Sequence, residues 1–381
     1  MKSAAMWSWA YLTVGVVFML LADRSAAGEP VVFISSFASG ASGSIQAMQL
    51  DVRAGILKPL ETTQGVENPF FMAISADQQF LYSIHAPTFG GTEPEQLAAY
   101  RLEGRSGKLS LLNRQSTQGT ASCYVAVDAT GKSVLVANYL TGSVVSYSVK
   151  PDGSLSEPVS FVQHTGSSVD ASRQKEPHAH CFVISPDNRY AYAADLGMDQ
   201  IVCYTLDATT GNLKASPQAF VRTPPGSGPR HLTFHPNGRF MYVINELKNS
   251  VTLFDFLPDS GMLIERQTIS TVPEDFKGTS HCADLKITPD GRFLYGTNRG
   301  HHSIAAYRLA DDGTLSLIAI TPSLGQGPQN LAITADGTLL LCANMPGNNV
   351  AAFFINQEQG SLSSVGPPLE ITSPSCIRIL E

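Results

Sequence analysis

Four ionisable residues, His180, Arg230, Glu246 and Arg299, stand where the internal repeat of this sequence has no use for them. Six copies of the repeat align on the residue just before a Pro-Asp-Gly type turn. Five residues upstream of it the copies carry Phe70, Cys123, His180, Arg230, Ala283 and Gln329. A second slot, just after a recurrent Asn, holds Ala86, Tyr139, Leu196, Glu246, Arg299 and Met345. Neutral side chains would serve a repeat in both slots, so the four charged or chargeable ones need another reason. An imidazole and a carboxylate can move protons near neutral pH. Two guanidiniums can stabilise charge developing on a carbonyl oxygen. The set is that of acid–base chemistry on an ester or a related carbonyl.

Further histidines lie close by in sequence. His178 shares Pro177-His-Ala-His with His180, His231 follows Arg230, and His281 precedes the equivalent segment of the next copy. All three are candidates for substrate contact. His301 and His302 read as a solvated turn. The recurrent Asn138, Asn245, Asn298 and Asn344 keep the repeat and are read as structural, with His85 and Asp195 in the same place in two copies. Residues that keep the symmetry build the scaffold, whereas those that break it do the chemistry.

The elements that must position these side chains are short strands. Leu232-Thr-Phe-His-Pro-Asn-Gly-Arg-Phe-Met-Tyr-Val-Ile-Asn245 and Leu285-Lys-Ile-Thr-Pro-Asp-Gly-Arg-Phe-Leu-Tyr-Gly-Thr-Asn298 are two apolar strands joined by a tight turn. A third strand containing Tyr or Phe follows, and Asp152-Gly153, Thr210-Gly211, Ser260-Gly261, Asp312-Gly313 and Gln359-Gly360 mark the turn into a fourth. A period of about 50 residues suits a four-stranded propeller blade. Val31–Ser36 and Ser44–Leu50 supply the second and third strands of a further blade, and Pro374–Leu380 supplies its missing first strand. The expectation is an all-β, seven-bladed β-propeller closed by pairing the two ends, which leaves no open edge between first and last blades. In an antiparallel blade the start of the first strand and the end of the second lie at the same end of the ring. His180, Arg230, Glu246 and Arg299 should therefore meet at one channel mouth, from blades four, five and six.

Residues 1–27 stand apart. Lys2 precedes an apolar run from Trp7 to Leu21, and Ser25-Ala26-Ala27 offers small residues for cleavage. This is expected to be a secretory signal peptide, with residues 28–381 forming the propeller and acting in the periplasm or outside the cell. The full chain carries a formal charge of −7. Removing the leader, whose Lys2, Asp23 and Arg24 sum to +1, makes it −8. An acidic chain without a basic stripe is not expected to bind nucleic acid, and no later run is long enough to predict a membrane span. Cys123, Cys181, Cys282 and Cys376 fall on first strands of different blades, and Cys203 and Cys342 on other strands, so free buried thiols are expected rather than disulfides. No Cys/His spacing suggests zinc, and neither metal nor cofactor is expected.

Pro177-His-Ala-His180, Gly228-Pro-Arg-His231, Val243-Ile-Asn-Glu246 and Thr297-Asn-Arg-Gly300, in this order and spacing, resemble the seven-bladed propeller lactonases. These are the 6-phosphogluconolactonase family, related to the fungal carboxymuconate-lactonizing enzymes. The resemblance covers the chain after its leader and implies metal-free chemistry on a lactone at a channel mouth. It places the family's His, Arg, Glu and Arg on His180, Arg230, Glu246 and Arg299. The expected activity is hydrolysis of a sugar lactone to its aldonic acid, with Glu246 or His180 as base and the arginines on the oxyanion. A carboxymuconate-type cycloisomerase would use the same four residues. A non-catalytic exported propeller acting as a binding scaffold would need none of them, and a calcium-dependent lactonase would instead gather oxygens such as those of Glu246, Asp195 and Asn298. Two departures bear on substrate: the sugar-phosphate enzyme works inside cells whereas this chain carries an export-like leader, and no Gly-rich phosphate loop is present.

Overall fold

The structure, a computed structural model, describes residues 28–381; the leader expected in residues 1–27 lies outside them. Seven antiparallel sheets form seven blades of a propeller. Blade 1 is assembled from both ends: Pro374–Leu380 is innermost, followed by Val31–Ser36, Ser44–Asp51 and Ile56–Gln64. Blades 2 to 7 follow in sequence over residues 72–116, 122–163, 179–222, 229–270, 282–322 and 328–370. In blade 7 two short strands, Leu362–Ser364 and Leu369–Glu370, share the outermost position. Only two short 3-10 turns, Gly40–Ser42 and Gly104–Ser106, interrupt the β structure of the described residues.

The second strands form the driest layer. Val31–Ser36, Phe80–His85, Ser133–Asn138, Tyr190–Asp195, Phe240–Asn245, Phe293–Asn298 and Leu339–Asn344 are buried at every position. Sheets stacked on both faces leave such strands no solvent side, hence the near-continuous apolar runs.

Blades are stapled by the aromatics and glycines of the repeat. Tyr82, Tyr192, Tyr242 and Tyr295 donate their hydroxyls to the carbonyls of Gly153, Gly261, Gly313 and Gly360 in the following blade. Each of these glycines has positive φ, and a Cβ there would strike the ring of Phe80, Tyr190, Phe240 or Phe293. The Gly therefore serves both the turn and the socket for a neighbouring ring. The Asn positions tie blades together at the other end. The side-chain amides of Asn138, Asn298 and Asn344 donate to Thr117, Thr271 and Ser323 carbonyls, just past the last strand of the preceding blade. In blade 2, His85 substitutes by accepting the Glu67 N–H on Nδ1. All six cysteines are buried and unpaired.

Blade register aims the mouth residues. In blades 1, 3, 4, 5, 6 and 7 the pairing of first and second strands shifts at the start of the first strand. In blade 5, Pro229 pairs with Asn245 and His231 with Ile244, leaving Arg230 as the extra residue. In blade 4 the extra residue is His180. A β-bulge leaves one residue outside the ladder and redirects its side chain. Here it turns His180 and Arg230 toward the axis.

Candidate active site

Glu246 sits just beyond the end of strand Phe240–Asn245, with its N–H on the Gly228 carbonyl. Its carboxylate gathers three guanidiniums. Oε2 accepts from Arg230 Nε at 2.9 Å and lies 2.7 Å from an Arg299 terminal nitrogen, while Oε1 accepts from Arg173 at 2.7 Å. Burial alone would raise the Glu246 pKa, but Arg299, Arg230 and Arg173 outweigh it and hold the carboxyl well below the usual range. Both oxygens are engaged and the group is a weak base, so it organises the arginines better than it removes a proton.

The three arginines differ in access. The Arg230 side chain is 1 % exposed, against 28 % for Arg299 and 33 % for Arg173. Arg230 is further spent on the Ala283 carbonyl at 2.6 Å and on His231 Nε2 at 3.2 Å. Burial and the Arg299 charge push it down to about 10, so it remains protonated at neutral pH. Arg299 is braced by the carbonyls of His281 and Cys282. Arg173 also donates to the Tyr139 hydroxyl, and Arg299 and Arg173 are the two that face the open mouth.

His180 lies beside this cluster. Burial, then the charge of Arg230, hold it well below 6.5, so its ring is neutral at physiological pH. Nδ1 lies 3.5 Å from Cys123 Sγ. Tyr139 meets the ring edge-on at 5.2 Å and stacks on His178 at 4.5 Å. His178 is fixed by the Tyr139 carbonyl and, through its N–H, by Asp195.

One rung deeper the channel is filled. Phe71 of blade 2 stacks on Tyr124 at 4.3 Å, and both rings meet His231 of blade 5, at 5.8 and 5.1 Å. An arginine N–H can only donate, so His231 accepts on Nε2 and its proton sits on Nδ1, 2.9 Å from Asp284 Oδ1. Burial and Arg230 push the His231 pKa down to about 3 against the pull of Asp284. The Asp284 carboxylate also accepts from Lys286, Asn330 and the Leu331 N–H. With both ring nitrogens spent, His231 braces Arg230 from beneath.

His180, Arg230, Glu246 and Arg299 thus meet at one mouth, with His178 on its wall and His231 in its floor. His281 brings its carbonyl to Arg299, while its buried Nδ1 has no partner. The oxygens of the calcium alternative do not converge, since Asp195 is held by His164 Nδ1 at 2.7 Å and Glu246 by arginines. Among the described residues no group of three or more His, Cys, Asp or Glu is arranged as a metal site. An open hollow of about 630 Å³ at Leu324, Asn348 and Glu370 of blade 7 lies apart from these charges. Sequence reasoning missed Arg173, which comes from the connection into blade 4. The signal was the spacing there, which exceeds every other interval of the repeat.

The sequence profile of the family described as "Lactonase, 7-bladed beta-propeller" matches residues 31–379. The chain belongs to this family. It is 33 % identical over 351 residues to a 6-phosphogluconolactonase of Bacillus subtilis, covering 91 % of this chain and 97 % of the relative. A 6-phosphogluconolactonase of Formosa agariphila is 30 % identical over 358 residues, covering 91 % and 99 %. Among solved structures, a periplasmic gluconolactonase of Pseudomonas aeruginosa superposes with a TM-score of 0.86 at 31 % identity, over 92 % of this chain and 99 % of that one. The family makes a small lactone the substrate class.

Proposed function

We propose that this protein hydrolyses a sugar lactone to its open aldonic acid at the mouth built by His180, Glu246 and the three arginines. The observation that carries the proposal is a neutral imidazole, with no hydrogen-bond partner on Nε2 among the described residues, set beside guanidiniums locked in place by one buried carboxylate. The lactone carbonyl oxygen lies against Arg299 and Arg173. Water attacks the carbonyl carbon and gives its proton to His180 Nε2. The negative charge that forms on oxygen meets guanidiniums already oriented, so little reorganisation is needed. The C–O bond of the ring then breaks, and the imidazolium returns its proton to the departing ring oxygen. A low pKa makes His180 a modest base but a ready acid in this second step. Glu246 and Arg230 act as the frame.

The export-like leader supports action outside the cytoplasm, with the mature protein starting near Gly28. The periplasmic description of the Pseudomonas relative agrees with that location. The experiment is a hydrolysis screen of sugar lactones on residues 28–381, with and without chelator, followed by pH-stat titration of the acid released. Chelator-insensitive turnover that disappears in His180→Asn supports the assignment; equal turnover by that variant overturns it. N-terminal sequencing of native material tests the leader, since an intact Met1 on cytoplasmic protein would refute export.

A further inference from the structure

The mouth has a second, uncharged wall. The slots that hold Arg230 and Glu246 in blade 5 hold Phe70 in blade 2 and Phe37 in blade 1. Phe89, on the segment 86–95 that follows the second strand of blade 2, completes a trio. Phe70 and Phe89 stack at 5.0 Å, and Phe37 meets both edge-on, at 5.4 and 5.1 Å. All three rings are half-buried, so part of each remains open. The loop that carries Phe89 is pinned by the buried Glu95, whose carboxylate accepts the N–H groups of Gly90, Ala121 and Ser122.

Blades 1 and 2, which carry this wall, stand across the ring from blade 5, which carries Arg230 and Glu246. One rung deeper, Phe71 of blade 2 and His231 of blade 5 lie 5.8 Å apart, ring to ring. Phe70 and Arg230 immediately precede them in sequence. The two walls therefore lie on opposite sides of the mouth, above the Phe71–His231 contact. The three segments that make the uncharged wall, 37–43, 65–71 and 86–95, contain no Lys, Arg or His; their charged residues are Glu67, Glu93 and Glu95. Arg378 lies 4.5 Å over Phe71, three residues deeper along its strand than the slot residue Ser375.

We propose that Phe37, Phe70 and Phe89 form an apolar subsite for the distal face of the lactone, so that this chain selects lactones without a phosphate at that end. The inference rests on the lactonase reading given above. With the reacting carbonyl on Arg299 and Arg173, the far end of the molecule meets the three phenylalanine rings. A C–H face stacks there, whereas a phosphate would lose hydration and meet no Lys, Arg or His from these segments. The subsite sets specificity and leaves the chemical step to the opposite wall.

The test measures kcat and KM on residues 28–381 for glucono-δ-lactone, for its 6-phosphate and for an alkyl-substituted δ-lactone. The expected result is a kcat/KM for the unphosphorylated sugar lactone about tenfold or more above that for the phosphate. Phe70→Ala should lower it roughly 3- to 10-fold, mainly through KM. Phe89→Lys, on a loop and so least able to disturb folding, should move the ratio toward the phosphorylated substrate. Equal or better use of the phosphate by the native protein overturns the inference, as does an unchanged substrate ratio in Phe89→Lys. If the native protein opens none of the three lactones, the lactonase reading fails and the subsite falls with it. Loss of turnover in His180→Asn together with unchanged ratios in the phenylalanine variants would remove the subsite alone.

Discussion

Replacing Glu246 by Gln removes the carboxylate that Arg173, Arg230 and Arg299 share, while keeping its size. Arg230 is 1 % exposed and cannot recover its hydration by turning outward. Breaking a buried pair by removing one partner costs about 3–5 kcal/mol, because the remaining charge is left uncompensated. For a domain of roughly 350 residues the unfolding entropy near Tm is about 0.7 kcal/mol/K, so the melting temperature should fall by about 4–7 °C. The assay is calorimetry at low ionic strength, repeated with sulfate. A bare cluster of three guanidiniums binds an oxyanion, and a ligand that binds only the folded state raises its stability by mass action. Sulfate should therefore restore Tm in Glu246→Gln by more than it raises the native value. Turnover should fall as well, with the arginines no longer held. A variant that melts within a degree of the native protein, with no added response to sulfate, would refute the view that Glu246 gathers the arginines.

Other outcomes follow from the same geometry. His180→Asn should cut kcat by roughly 10²–10⁴-fold while Tm moves by no more than about two degrees; circular dichroism melts and pH-stat rates check both. Because His180 is held well below 6.5, native kcat/KM should stay level as pH falls from 8 to 6.5 and decline only in more acid solution. Buried neutral His231, at about 3 against 6.5 unfolded, contributes stability that is full above pH 6.5 and is lost as pH falls toward 3, since the unfolded chain binds the proton first. His231→Asn should flatten that decline by up to about 1.4 kcal/mol per pH unit, as read from urea midpoints between pH 6.5 and 4; an unchanged slope would contradict it. Deleting residues 374–381 strips the innermost strand from Val31–Ser36, whose Val32, Phe33 and Ile34 are fully buried; insolubility or a large fall in Tm is expected, and a soluble truncation with native Tm would contradict ring closure.

The ring and its closure were legible in the sequence because they rest on repetition. The turn glycines, the tyrosine of the second strand in blades 2, 4, 5 and 6 and the Asn that ends it in blades 3, 5, 6 and 7 recur, and joints between blades explain much of this: Tyr242 reaches Gly313 for the same reason that Tyr295 reaches Gly360. His180, Arg230, Glu246 and Arg299 stood out against that pattern, and antiparallel strand direction alone placed them at one end. What each could do was decided by the tertiary structure. The bulges that aim His180 and Arg230 depend on pairing register, which no spacing along one strand reveals. Glu246 looked equal to His180 as a base until three guanidiniums were found on its two oxygens. Arg230 looked equal to Arg299 as an oxyanion donor, but its hydrogen bonds to Glu246, Ala283 and His231 bury it below the surface that a substrate can touch. Arg173 comes from a connection with no repeat partner, so only the folded chain brings it to Glu246. The phenylalanine wall was hidden for the opposite reason: Phe37 and Phe70 suit apolar strand ends in sequence, and become a surface only when the ring sets blades 1 and 2 across from blade 5. Sequence pattern records what every blade must share, whereas proton affinity and access depend on charge and burial contributed from other blades.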